Sequence, residues 1–216
     1  MPRIKTIDID PANVDPNGLC AALPTGSSWT LAGDAEFVAV SAGDGLAHQL
    51  IVTTAGNEPA GNSAIMTITG TDADDRAISE AITLPNATTI ESTLYFKTID
   101  STITTDAATI GTVDVGWVDE VSTKTFPLNR HSATGAHVQV DVTGTIDFSV
   151  QITNKSLAAG ADQDTLAWVA PQDADFTTTT ADTVGYLDIH ANAMRLIVNS
   201  YTDTAEIQLY ISQGYK

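Results

Sequence analysis

Three aspartates at a predicted bend are of the residue type that binds calcium. Asp72, Asp74 and Asp75 follow the short apolar run of residues 65–69. An EF-hand loop needs Asp-x-Asp-x-Asp-Gly and a glutamate at its twelfth position, whereas Arg76 follows Asp75 in this chain. Turn aspartates that accept hydrogen bonds from backbone N–H groups explain the cluster more economically. We therefore expect a turn at this point and no metal site.

Other groups with metal-binding or acid–base chemistry give weaker signals. A second acidic group lies in a loop-rich stretch: Asp162, Asp164, Asp173 and Asp175. It is interpreted as turn residues for the same reason. The histidines are scattered along the chain: His48, His131, His137 and His190. His131 and His137 are six residues apart, and we expect exposed or hydrogen-bonded side chains there.

The sequence contains no motif typical of a nucleophilic or nucleotide-binding enzyme. A Gly-x-Ser-x-Gly elbow, a P-loop and a Gly-x-Gly-x-x-Gly fingerprint do not occur. Cys20 is the single cysteine, which excludes an internal disulfide and predicts a small buried side chain. The 27 acidic residues leave open a hydrolase with two carboxylates in one cleft, roughly 5–10 Å apart. The prediction is a protein that is not an enzyme and holds no cofactor.

The charge balance restricts the partners. Twenty-seven acidic against nine basic residues give a formal net charge of −18. Binding to nucleic acid and to anionic membranes depends on lysine and arginine, so neither partner is expected. No run of about 18 apolar residues occurs, and the N-terminus alternates charged and apolar residues where a signal peptide needs a continuous apolar segment. These features predict synthesis in a cytoplasm.

The elements that position these residues are strands. Residues 65–69 and 78–84 flank the aspartate bend as a predicted hairpin, with Ile78, Ile82 and Leu84 on one face. Glu80 interrupts that apolar parity, which indicates an edge or the end of the buried face. Alternation predicts two more hairpins in the C-terminal half, with these strand pairs: 138–142 with 146–152, and 194–198 with 207–211.

The fold class that follows is all-β, with two antiparallel β-sandwich or jelly-roll-like domains. The apolar pattern lapses over residues 119–130, so we place the domains at residues 1–120 and 121–216. A weak helix-start signal at residues 88–91 competes with β-branched neighbours. The first domain includes an N-terminal arm, which either pairs into its own sheet or reaches a neighbour. Its predicted partner contacts are Ile4, Ile7 and Ile9.

Several short segments resemble a family of small β-rich virion proteins of tailed bacteriophages. The similar segments span most of the chain: 15–20, 54–57, 68–74, 78–83, 85–87, 96–99, 113–116, 127–129, 142–145 and 194–200. The chain departs from the family pattern at Asp75-Arg76, where a Gly-Asn type of turn is expected. The resemblance implies a structural role in a virion assembled in the host cytoplasm.

Within that role, the expected function is capsid decoration, in which the chain stabilises the head by binding capsid subunits. A tail or adaptor component is the alternative. The expected partners are the major capsid protein or tail proteins, and further copies of the chain in a homo-oligomer. A carbohydrate- or receptor-binding β-sandwich is a further alternative, and it needs exposed tryptophan or tyrosine. The tryptophans lie beside apolar strands and are predicted in the core: Trp29, Trp117 and Trp168.

Overall fold

The computed structural model describes residues 3–55, 64–109, 111–129, 135–155, 166–187 and 191–213. These parts contain sixteen strands, one 3₁₀ helix and no α-helix, so the all-β prediction is confirmed. The strands are β1 (Arg3–Ile9), β2 (Asp15–Leu23), β3 (Ser28–Thr30), β4 (Ala47–Thr54), β5 (Ile65–Thr71), β6 (Ala77–Thr83), β7 (Thr89–Phe96), β8 (Thr98–Ile99), β9 (Thr102–Thr105), β10 (Val113–Ser122), β11 (Phe126–Pro127), β12 (Ala136–Thr143), β13 (Ile146–Thr153), β14 (Thr183–Leu187), β15 (Ala193–Tyr201) and β16 (Glu206–Gln213). The 3₁₀ helix, η1, covers Ala174–Phe176.

The chain forms two compact units. Unit 1 contains residues 1–13 and 119–216, and unit 2 contains residues 14–118. The division between residues 118 and 119 lies close to the boundary expected at 120 and 121. The N-terminal segment differs from the expectation, which places it in the N-terminal domain. It belongs to unit 1 because β1 pairs antiparallel with β16 along its whole length.

Unit 2 is built on the hairpin of β5 and β6, which confirms the prediction for the central stretch. The two strands pair in register from Ile65 with Thr83 to Thr71 with Ala77. They belong to a sheet with the order β3-β9-β5-β6, in which β6 is an edge strand. The predicted face is buried, with the side chains of Ile78, Ile82 and Leu84 at most 6% exposed. Residues of this face share a core with Trp29, Met66 and Trp117.

Side chains support an irregular segment of β7. The register of β4 and β7 shifts between the pairs Gln49–Tyr95 and Ile51–Glu91. Residues 92–94 therefore lack regular backbone partners in the ladder. Side chains provide hydrogen-bond partners for this segment instead. The Glu80 carboxylate accepts hydrogen bonds from the backbone N–H groups of Thr93 at 2.8 Å and Leu94 at 3.0 Å. The weak helix-start signal at residues 88–91 does not lead to a helix, because residues 89–91 belong to β7.

In unit 1, both hairpins predicted for the C-terminal half are wrong. Sheet A has the strand order β1-β16-β12-β14, whereas β13 and β15 pair with each other in a second sheet. The links β12–β13 and β15–β16 each carry the chain from one sheet to the other. Alternation is the same in a hairpin and in such a crossing, since both leave each strand with one buried face. Gly144, with a φ of +80°, makes the first turn.

Candidate docking surface

Sheet A buries one face and leaves the other open. Strand pairing and the two-residue alternation place every second side chain on the same face. Most of the inner set is buried, including Ile9, Ile207, Leu209, Val138 and Leu187. The outer set is half-buried or exposed in all four strands. We call this outer set the outer face of sheet A.

Two rows of side chains cross the outer face in register. The first row is Ile4, Ser212, His137 and Tyr186, and the second is Thr6, Tyr210, Gln139 and Val184. Large apolar or aromatic groups at the edges are strongly exposed, at 68% for Ile4, 56% for Val184 and 65% for Tyr186. The rings of His137 and Tyr186 meet edge to face with their centroids 5.1 Å apart. The outer face therefore offers apolar contacts at both sides of the sheet.

A third row is acidic and polar. Asp8, Gln208 and Asp141 lie next to one another across β1, β16 and β12. Gln139 Nε2 donates to Asp141 Oδ1 at 2.8 Å, and the Tyr210 hydroxyl donates to Gln208 Oε1 at 2.8 Å. No lysine or arginine occurs in the three rows. The outer face thus combines apolar side chains with negative charge.

The β14 side of sheet A borders a groove. It has a volume of about 460 Å³ and is lined by Ala174, Asp175, Thr177, Thr178, Thr179, Ala181, Asp182, Thr183 and Val184. The Asp182 carboxylate also accepts a hydrogen bond from the Val142 N–H at 2.8 Å. At Gly185 a Cβ atom would lie 2.7 Å from Phe176 Cε2, so glycine lets the 3₁₀ helix pack closely against β14.

The three isoleucines predicted to contact a partner have different environments. Ile4 is exposed on the outer face, Ile7 is half-buried, and Ile9 is 1% exposed in the core. Their role in partner binding stays a prediction, and in this fold Ile4 alone of the three offers a strongly exposed side chain. The sequence reasoning missed Val184 and Tyr186. An uncharged, alternating run between Asp182 and Asp188 was the available signal.

The aspartate bend acts as a turn, as its sequence predicts. Asp72 Oδ1 accepts hydrogen bonds from the N–H groups of Asp74 at 2.8 Å and Arg76 at 2.9 Å. Burial raises the pKa of the Asp72 carboxyl, although the two backbone hydrogen bonds oppose this shift. No group of three or more His, Cys, Asp or Glu side chains with metal-binding geometry occurs in the described parts of the chain. Asp162, Asp164, His131 and His190 lie outside those parts.

Other residues considered for chemistry are parts of the two cores or of local pairs. The Cys20 side chain is buried as expected, and burial raises the pKa of its thiol to about 12, which keeps it protonated. His48 Nε2 lies 2.7 Å from Asp44 Oδ2. Trp29 and Trp117 are in the core of unit 2 as predicted. Trp168 is half-buried, and the Arg195 guanidinium stacks on its ring at 4.6 Å.

Comparisons with known proteins leave the family open. No family model matches the chain, and no similar protein was found among curated sequences or solved structures. Within the described residues, no helix has the length and apolar character needed to cross a membrane.

Proposed function

We propose that this chain is a non-enzymatic structural protein of a bacteriophage particle, which docks onto neighbouring virion proteins through the outer face of sheet A. The observation that carries the proposal is the exposure of Ile4, Val184 and Tyr186 on that face. Val184 and Tyr186 are adjacent on this face of β14, and Ile4 lies at the opposite edge. Exposed apolar groups with a polar surround are typical of protein interaction sites. Capsid decoration is the most specific form of the proposal, with tail or adaptor proteins as alternative partners and a symmetric homo-oligomer as the expected assembly.

The layout of the outer face supports docking onto a protein. Interfaces place apolar and aromatic side chains in their dry centre and polar groups at the rim. Here the rings of Tyr210 and His137 lie on the two central strands beside Tyr186. The row of Asp8, Gln208 and Asp141 lies towards one end of the strands. Rigid paired strands lower the entropy cost of ordering such a surface on binding.

The proposal is tested on intact particles. We expect cryo-electron microscopy to show density for this chain in many copies, on the capsid lattice or along the tail axis, with the outer face of sheet A against a neighbour. Mass spectrometry that finds purified particles free of this chain would contradict the proposal.

A matched pair of variants tests the docking surface. Tyr186→Asp places a charge in the proposed contact and is expected to lower the number of copies per particle at least tenfold, since a buried unpaired charge is costly. Val38→Asp makes a similar change at a side chain that is 58% exposed in unit 2, and we expect normal incorporation. Equal incorporation of the two variants would show that the outer face of sheet A is not the docking surface.

A carbohydrate-binding function is the second candidate, and one observation favours it. Tyr186 is 65% exposed beside His137, with Gln139 and Asp141 on the same face, so an aromatic ring and hydrogen-bonding groups lie together. Sugars stack on aromatic rings and bind to carboxylate and amide groups. A glycan-array signal that Tyr186→Ala abolishes would support this function, and a blank array would argue against it.

A further inference from the structure

We propose that the β14 edge of sheet A binds an extended, basic segment of a partner protein by strand addition, with basic side chains of that segment in the neighbouring groove. This inference rests on the proposed function, because it names the chemistry of the partner at one side of the docking surface. In strand addition, main-chain hydrogen bonds provide affinity and the flanking side chains provide specificity.

The first step of the argument is that β14 is an unprotected edge strand. It is the terminal strand of sheet A, and no described strand pairs with its far side. Natural edge strands are usually blunted by charged residues or proline. β14 reads Thr-Val-Gly-Tyr-Leu and has neither, whereas β1 at the opposite edge contains Arg3, Lys5 and Asp8. The two edges of one sheet therefore differ in the protection that prevents pairing with another strand.

The second step is the groove at the start of this edge. Thr183 and Val184 belong both to β14 and to the lining of the groove, so a segment paired with β14 passes directly along it. The volume of about 460 Å³ is enough for one or two long side chains. Two carboxylates, Asp175 and Asp182, line the groove, and no lysine or arginine is among its described lining residues. A lysine or arginine side chain is the group that complements them.

The third step concerns the kind of occupant. At this groove a second copy of the chain is a poor occupant electrostatically, because each copy has a net charge of −18 and two carboxylates line the groove. A basic segment is attracted to the same region. Exposed Val184 and Tyr186 offer apolar contact on the outer face of the same strand. The fitting sequence therefore alternates basic and apolar residues, since successive side chains of a strand point to opposite faces.

The probe is a capped hexapeptide of alternating lysine and valine, titrated into the full-length protein and followed by NMR. We expect the amide signals of Thr183–Leu187 to shift and their hydrogen exchange to slow. Two control peptides separate the contributions: a glutamate–valine hexapeptide turns charge attraction into repulsion, and an N-methylated lysine–valine hexapeptide cannot donate the hydrogen bonds of the ladder. Both are expected to bind at least fivefold more weakly.

Matched variants locate the site. The double variant Asp175→Asn, Asp182→Asn removes two charges and retains the oxygen that accepts from Val142, and we expect it to weaken binding about fivefold. The control is Asp100→Asn, Asp106→Asn in unit 2. It removes the same charge, and its two residues accept one hydrogen bond each, from Thr69 Oγ1 and from the Ile65 N–H. Circular dichroism checks that both proteins are folded.

Several outcomes would overturn the inference. These are no binding of the lysine–valine peptide at millimolar concentration, equal binding of its N-methylated form, and equal losses in the two double variants. Self-association that Val184→Lys abolishes, seen by analytical ultracentrifugation, would make a second copy the occupant instead. Peptide failure with the chain present in particles would defeat this inference alone. Absence from particles with specific peptide binding would defeat the proposed virion function alone.

Discussion

The buried Asp72 carboxyl, in the bend between β5 and β6, makes the stability of the fold depend on pH. Its side chain has no exposed surface, and Oδ2 has no hydrogen-bond partner among the described residues. Burial penalises the charged form and is the largest cause of the raised pKa. The charged form therefore destabilises the folded state relative to the unfolded chain, in which the same carboxyl has a pKa of about 3.9.

This cost predicts a pH-dependent effect of Asp72→Asn. A carboxyl with a raised pKa in the folded state favours folding below its unfolded pKa, and this contribution is lost as pH rises through the folded pKa. Asparagine keeps the Oδ1 acceptor and cannot ionise. We expect the stability of the variant relative to the native protein to increase as pH rises from about 4 through the folded pKa.

Urea denaturation across that pH range measures the effect. Asp100→Asn is the control, since Asp100 is exposed and also accepts one hydrogen bond from a side chain. A stability difference between Asp72→Asn and the native protein that stays constant over the whole range would contradict the prediction. A fixed cost of the buried amide N–H group only shifts the whole curve, so the test is the change of the difference with pH and not its absolute size.

Among the elements, β7 depends on one carboxylate for two backbone groups. Glu80 accepts hydrogen bonds from Thr93 N–H, Thr93 Oγ1 and Leu94 N–H. We expect Glu80→Ala to lower the free energy of unfolding by about 1 to 2 kcal/mol, because both N–H groups lose their partner. Glu91→Ala, an exposed change on β7 itself, is expected to cost less than about 0.5 kcal/mol. Equal losses in the two variants by urea denaturation would disprove this role of Glu80.

The strands also show which structural features the alternation of apolar residues can predict. Alternation predicted the buried face of Ile78, Ile82 and Leu84, because the side-chain period is a local property. It did not predict the partners of β12 and β15. A turn as short as Gly144-Thr145 fits a hairpin and also a crossing between sheets, and residues distant in sequence decide between them. The partner of β12 is β16, which lies far along the chain.

Less of the candidate surface than of the buried faces could be predicted, because the surface depends on the order of the strands in the sheet. Ile4 was found because an N-terminal arm with alternating isoleucines is visible in the sequence. Val184 and Tyr186 share one sheet face with Ile4 only through the order β1-β16-β12-β14. That order joins the two ends of unit 1, and no local pattern contains it. Ile9 was placed at a contact for lack of this information, and the structure places it in the core.

At the scale of the whole molecule, the net charge of −18 opposes compaction. Repulsion between like charges is screened over about 30 Å at 0.01 M salt and about 8 Å at 0.15 M. We expect the Tm to rise by about 3 °C or more between these two concentrations of sodium chloride, which corresponds to about 1 kcal/mol in a chain of this length. Potassium chloride should give the same rise. A Tm that is constant or falls with both salts would contradict the prediction.

The pairing of β1 with β16 has a consequence for synthesis on the ribosome. β1 leaves the exit tunnel before residues 14–118, whereas β16 follows only after them and after most of unit 1. Unit 2 is continuous in sequence, so all of its strands are available to fold while translation continues. In the nascent chain, β1 has no β16 to pair with until Ile207 and the residues after it emerge. Translation order therefore places the closure of sheet A after the synthesis of unit 2.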